Sequence, residues 1–178
     1  MFVEKIIHFD LMQYIFRKAT STDLPNIWQI LKVAITRRKA DGSNQWQDGY
    51  PNPEVIKNDI AKNAGFVLEV NNQAAGYVAI LINDEPEYNN LEGKWLTNGD
   101  FVVFHRLAVA KEFLGKGLAK ELFLQIEKFA QDRGINSIKA DTNFDNDAML
   151  HLFNSMGYHY CGEVYFRASP RRAYEKVL

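Results

Sequence analysis

Phe101-Val102-Val103-Phe104-His105-Arg106-Leu107-Ala108-Val109, followed by Ala110 to Leu114 and then Gly115-Lys116-Gly117-Leu118-Ala119, is the stretch on which the fold turns. Its first nine residues are rich in β-branched and aromatic side chains, which suits a buried strand. Beyond the glycines, Leu118, Leu122, Ile126 and Phe129, flanked by Ala119, Phe123 and Ala130, recur at helical spacing up to Gly134, a C-terminal cap. A strand that enters a helix through two close glycines leaves first-turn N–H groups unpaired, where the helix dipole favours an anion. Residues 114–119 therefore read as a phosphate cradle. Gly115 and Gly117 let the backbone approach closely, and Lys116 adds a point charge.

Upstream, Gly65–Val70 and Ala75–Ile82 read as a hairpin about Asn71-Asn72-Gln73, and Tyr14–Ala19 as the first firm strand. Thr20 to Asp23 supplies caps for a helix with Pro25 in its first turn; Leu24, Ile27, Trp28, Leu31 and Ile35 form its inner stripe, and Asp41-Gly42 ends it. Pro53–Asn63 reads as a short helix with Val55, Ile56 and Ile60 inward. Between these helices the loop 43–53 carries Trp46 and Tyr50. The two aromatics either line a substrate pocket or pin the loop to the core, and they are taken forward as candidate substrate-binding residues. Asn83–Gly99 holds Asp84, Glu85, Glu87 and Glu92 around Tyr88 and Trp95; it reads as a solvated connector, the other reading being an amine-attracting rim. Residues 1–13 form an N-terminal extension that the pattern does not place.

Downstream, Asn136–Thr142 is a strand, so the preceding helix is a crossover and the two strands are parallel, joined in the right-handed sense. Asp145-Asn146-Asp147 caps a last helix bearing Met149, Leu150, Leu152, Phe153 and Met156, with Gly157 at its end. Tyr158–Phe166 and Arg172–Val177 read as closing antiparallel strands across the turn Ala168–Arg171.

A chain of 178 residues suits one domain. With 21 Lys and Arg against 22 Asp and Glu, it has no overall charge to draw it to nucleic acid or an anionic membrane. No apolar run is long enough to span a bilayer, and the lone Cys161 excludes an internal disulfide framework, so a reducing cytoplasm is expected. No metal site is expected. Exposed closing strands are compatible with a homodimer.

A glycine pair alone also fits a dinucleotide-binding turn, and Asp141 lies near the offset of a ribose-binding carboxylate. That turn, however, normally follows the first strand of a doubly wound sheet, whereas about a hundred residues of mixed structure precede this one. No Gly-Lys-Ser/Thr follows either. Leu107-Ala108-Val109, Gly115-Lys116-Gly117-Leu118-Ala119, Asn146-Asp147-Ala148-Met149 and Met156-Gly157-Tyr158, in that order, resemble the acyl-CoA-binding half of the GCN5-related N-acetyltransferases (GNAT family). The order of elements agrees from about Tyr14 to the C-terminus. The resemblance implies a single α/β (α+β) domain: a mixed, mostly antiparallel sheet of about seven strands, helices on both faces, and two central parallel strands splayed apart. It further implies acetyl-CoA as acyl donor. By position, the pyrophosphate would be held by Leu114, Gly115, Lys116, Gly117, Leu118 and Ala119, and the pantetheine arm by Leu107, Ala108 and Val109. Asn146 and Phe153 would flank the thiol. Two positions depart from the family pattern. Glu112 stands where Arg or Gln is usual, and Phe153 where a tyrosine often serves as proton donor to the thiolate.

Acyl transfer to an amine needs a neutral amine, a stabilised oxyanion and a leaving thiolate. An alkyl amine titrates near ~10.4 and a thiol near ~8.5, so deprotonating the amine is the harder step and the absent tyrosine is survivable. The Val109 N–H is the candidate oxyanion donor. His105 is the first candidate general base, the alternative being a packed or exposed strand histidine; Asp141, at the end of the neighbouring strand, is the second, the alternative being a strand-end cap. Cys161 lacks a histidine at any recognised nucleophile spacing. The expected reaction is acetyl transfer from acetyl-CoA to a primary amine of a small molecule or peptide. The alternative is a non-catalytic acyl-CoA sensor, motivated by Glu112 and Phe153.

Overall fold

The computed structural model describes residues 14–166 and 169–178. Its strands are Tyr14–Lys18 (β1), Gly65–Val70 (β2), Gln73–Ile82 (β3), Glu92–Gly93 (β4), Val102–Val109 (β5), Ser137–Thr142 (β6), His159–Phe166 (β7) and Ser169–Val177 (β8). They form one eight-stranded sheet in the order β1-β2-β3-β5-β6-β8-β7-β4. Four helices cover it: Leu24–Ala40 (α1), Pro53–Ala61 (α2), Leu118–Gln131 (α3) and Asp147–Ser155 (α4). The expected N-terminal extension, residues 1–13, lies outside the described residues. No helix among the described residues is long and apolar enough to cross a membrane.

The strand periodicity sorts side chains into two faces. Phe66, Leu68, Val78, Ile80, Val102 and Phe104 pack with Leu118, Leu122, Phe123 and Ile126 of α3 and Phe153 of α4. The alternate residues Val67, Tyr77 and Ala108 meet Ile27, Ile30 and Leu31 of α1 and Ile56 of α2. Every pairing is antiparallel except β5 with β6, which touch in parallel at only Val102↔Ile138 and Val103↔Lys139. Beyond Val103 the two strands part. On its other side β5 stays paired with β3 to Val109, so the gap opens on one side only.

The sheet has one strand more than the family resemblance implies. The addition is β4, whose Glu92 and Gly93 pair with Glu163 and Gly162 of β7. The backbones cross so closely that a Cβ on Gly93 would lie 2.1 Å from the Cys161 carbonyl oxygen. Only glycine fits there. The 83–99 segment is correspondingly more than a solvated connector: Tyr88 is buried at 3% exposure and packs with Trp95 and Phe101. The buried carboxylate of Glu175 accepts from Leu96 N and the Thr97 hydroxyl, which ties the segment to β8. The last strand begins earlier than expected: Ser169 and Pro170 already belong to β8 and pair with Phe166 and Tyr165.

Candidate active site

Two glycines make the cradle. Gly115 and Gly117 have φ of 75° and 82°, which an ordinary residue adopts only at a cost, and a Cβ at either would meet open space. The amides of Leu114 and Lys116 bond back to Lys111 and Phe113 carbonyls. Those of Gly115, Gly117, Leu118 and Ala119 have no protein acceptor among the described residues. Gly115, Gly117, Leu118 and Ala119 line a shallow, almost wholly apolar hollow with Phe113 and Leu114. Lys116 rests its ammonium 5.3 Å from the Phe113 ring. Glu112 is exposed and lines neither this hollow nor the cleft beside it.

The hollow opens into a cleft of about 230 Å³ between Leu107, Ala108 and Val109 of β5, Asn146, Met149 and Leu152, and Ala34 and Arg37 of α1. Asn146 caps α4 by accepting from Met149 N and donates to Gln45 Oε1. Phe153 lies elsewhere: it is wholly buried, stacked 4.6 Å from Tyr174, and lines none of the clefts. The helix stripe places it on the core face, away from the residues that line the cleft.

A bulge in β5 sets which atoms face the gap. Between His105 and Ala108 the strand holds one residue more than its partner run Ala79 to Tyr77. Before the bulge, Phe101 accepts from Asn83 N, so the odd-numbered residues turn their amides toward β3. After it, Ala110 N donates to Ala75 O at 2.8 Å, and the even-numbered residues do so. The phase change turns the N–H groups of Leu107 and Val109 toward the open side. It also puts His105 and Arg106 side by side on one wall.

That wall belongs to a second chamber of about 230 Å³, lined by Tyr50, Glu85, Glu87, His105, Arg106, Phe166 and Arg171. A narrower passage of about 70 Å³, bordered by Trp46, Tyr50, His105, Leu107, Asp141 and Asn146, joins its surroundings to the cleft. His105 Nε2 lies 2.7 Å from Glu85 Oε2, an ion-pair distance, though off the direction of a hydrogen bond. Burial pushes the Glu85 carboxyl above its ordinary range; a hydrogen bond with Glu87 and the charge of Asp141 add to this, and His105 opposes it. Glu87 moves the other way, chiefly because Glu85 bonds to its carboxylate. Asp141 is 2% exposed at its side chain, accepts from the Tyr88 hydroxyl at 2.8 Å and pairs with Arg171 at 3.1 Å. Both its oxygens are taken. Cys161 is buried, and burial raises its thiol, which leaves it unsuited to be a nucleophile.

The fold brings the candidate residues Trp46, Tyr50, His105, Leu107, Asp141 and Asn146 around one passage. Glu85, Glu87, Arg106 and Arg171 were missed. The acidic run 84–87 was the available signal for the first two, and the rim reading of it is the one the chamber fits; Arg106 and Arg171 stand in ordinary strand patterns.

Residues 14–158 match the family described as Acetyltransferase (GNAT) family. The uncharacterized N-acetyltransferase YesJ of Bacillus subtilis is 28% identical over 141 residues, covering 77% of this chain and 75% of its own. A GNAT-family acetyltransferase structure from Streptococcus agalactiae superposes with a TM-score of 0.85 at 33% identity, over 94% of this chain and 97% of that one. The protein yncA of Salmonella typhimurium, solved with its cofactor acetyl-CoA, shares the fold at 16% identity, with a TM-score of 0.66 over 93% and 94% of the two chains.

Proposed function

Because the chain belongs to the acetyltransferase (GNAT) family and is a transferase, we propose that it moves an acetyl group from acetyl-CoA to a primary amine of a small molecule or peptide. The observation that carries this reading is the β5 bulge. It turns the Val109 N–H to the gap left by β6 while His105, on the same strand, faces Glu85 in the adjoining chamber.

Bound in the cleft, acetyl-CoA would supply the activated acyl group. The free amides of Gly115, Gly117, Leu118 and Ala119 fit its diphosphate, with Lys116 and the exposed Arg37 as neighbouring cations. The open edge of β5 at Leu107 fits its amide-bearing arm as an added strand would, beside Ala108 and Asn146, which leaves the Val109 N–H for the acyl oxygen. The acceptor amine arrives as an ammonium, and Glu85 and Glu87 make the chamber attractive to a cation. His105 takes the proton, held in place by Glu85. The Val109 N–H then stabilises negative charge developing on the carbonyl oxygen, a role worth about 10² to 10³ in rate. Asp141, with both oxygens engaged, serves to orient Tyr88 and Arg171 rather than to accept the proton. Trp46 and Tyr50 form the acceptor-side walls.

Against the sensor alternative, Glu112 is exposed and lines neither the hollow nor the cleft; Phe153 still leaves its position without a hydroxyl. A cytoplasmic location rests on the lone cysteine, and a homodimer on the outer edge of β7, of which β4 covers only Gly162 and Glu163. The test is CoA release from acetyl-CoA against a panel of amines, with calorimetry for donor binding. Turnover with at least one amine is expected. Tight donor binding with none turned over would restore the sensor.

A further inference from the structure

Arg106 has a φ of 57°, and among the described residues it is the non-glycine residue with positive φ that lies inside a strand. An arginine there needs neighbours that over-determine its conformation. It has them. Nε and Nη2 form a fork on Asp59 of α2 at 2.9 and 2.7 Å, and Nη1 donates to the Tyr50 hydroxyl. Asp59 Oδ2 also accepts from the hydroxyl of Tyr77 on β3 at 2.7 Å. The Arg106 and Asp59 side chains are 9% and 5% exposed, and Tyr77 is fully buried. A second large residue with positive φ, Trp46 at 64°, sits on the same loop as Tyr50.

This network joins three places that the fold keeps apart in sequence: the bulge between His105 and Val109, helix α2, and the loop 43–52 that walls the chamber. We infer that Arg106 is a positioning residue, which pins the bulge through Asp59 and passes that geometry to the acceptor loop through Tyr50. The inference rests on the acetyltransferase reading of the site. It makes the aim of the Val109 amide and the order of the acceptor loop a single property. Loosening one loosens the other; none of Arg106, Asp59, Tyr77 and Tyr50 lines the hollow at the glycines.

The test compares Arg106→Gly with Tyr50→Phe in the full chain. Glycine tolerates the left-handed backbone, so this substitution removes the fork without adding strain. We expect kcat to fall by about 10²-fold for Arg106→Gly, the scale of one misaimed oxyanion donor. For Tyr50→Phe the expected fall is about tenfold, the scale of one hydrogen bond to a charged group. Calorimetry should show a much smaller loss of acetyl-CoA affinity than of rate in both variants. Hydrogen exchange followed by mass spectrometry should show residues 43–52 exchanging faster in both, with α3 unchanged. Unchanged kcat in Arg106→Gly, unchanged exchange in the loop, or a loss of donor affinity equal to the loss of rate would overturn the inference. Tyr50→Phe deletes one oxygen from a half-buried side chain, so it stays informative if Arg106→Gly does not fold. Should the wild type bind acetyl-CoA yet acetylate no amine, the functional reading falls, while loop exchange still decides the coupling.

Discussion

The cleft proposed for the donor and the chamber proposed for the acceptor share β5 as a wall but use different parts of the chain. The cleft offers main-chain N–H groups at Gly115, Gly117, Leu118, Ala119 and Val109, set among Leu107, Leu114, Met149 and Leu152. The chamber gathers ionisable side chains, with Glu85, Glu87, His105 and Arg171 around Tyr50 and Phe166. A main-chain cradle is made by one continuous segment and is satisfied by any sequence that turns correctly. A side-chain cradle needs four or five segments delivered to one point, and its chemistry changes with each substitution. In the proposed reading, recognition of a constant ligand and of a variable one is divided between successive stretches of one strand, Leu107–Val109 and His105–Arg106.

Charge placed in the backbone-made side should do the most damage. Gly117→Asp puts a carboxylate where a diphosphate would lie, and a loss of at least about 10²-fold in acetyl-CoA affinity is expected by calorimetry, with the circular dichroism of the fold retained. Gly117→Asn carries the same left-handed backbone without the charge and should lose much less. Equal losses would assign the effect to strain and remove the contrast.

On the side-chain-made side, His105→Ala should lower kcat by about 10² to 10³ near neutral pH, with partial recovery at high pH as free amine accumulates. A deficit that stays flat across pH would remove His105 as base. Glu87→Ala probes the same chamber more gently. Glu85 keeps its proton to a higher pH than an ordinary carboxyl because of burial, then Glu87 and Asp141. If its carboxylate form is the one that holds His105, the rate climbs as pH rises through that elevated value. Deleting Glu87 lowers the value, so the acid limb of kcat/KM should move to lower pH; movement to higher pH would contradict the assignment.

Phe153→Tyr lies in neither site and sharpens the contrast by doing nothing to rate. Its ring is enclosed by Phe104, Phe123, Tyr158 and Tyr174, so a hydroxyl there would enter a buried aromatic cluster. Denaturant unfolding should show a loss of about 1–3 kcal/mol, with kcat unchanged. A faster enzyme would mean that the new hydroxyl reaches the thiol end of the cleft.

The cradle was legible before any coordinates because its signal is local: a buried strand, two glycines and a helical stripe, all within the stretch from Phe101 to Gly134. Local order likewise made the β5-α3-β6 crossover and the α4 cap readable, since spacing and capping residues report on their own neighbourhood. Phe153 shows the limit of positional carry-over, for the stripe that identified α4 also placed that ring toward the core. What the sequence by itself determined was the order of elements, apart from β4, and the glycine turn at Gly115 and Gly117. The tertiary structure alone decided the parting of β5 from β6 after two pairs, the phase change at Arg106, and the meeting of Glu85 with His105 and of Asp59 with Arg106. The physical reason is range. A glycine's freedom acts within its own turn, whereas a bulge exists only relative to a partner strand. A carboxylate's titration likewise depends on neighbours that folding alone brings within a few ångströms.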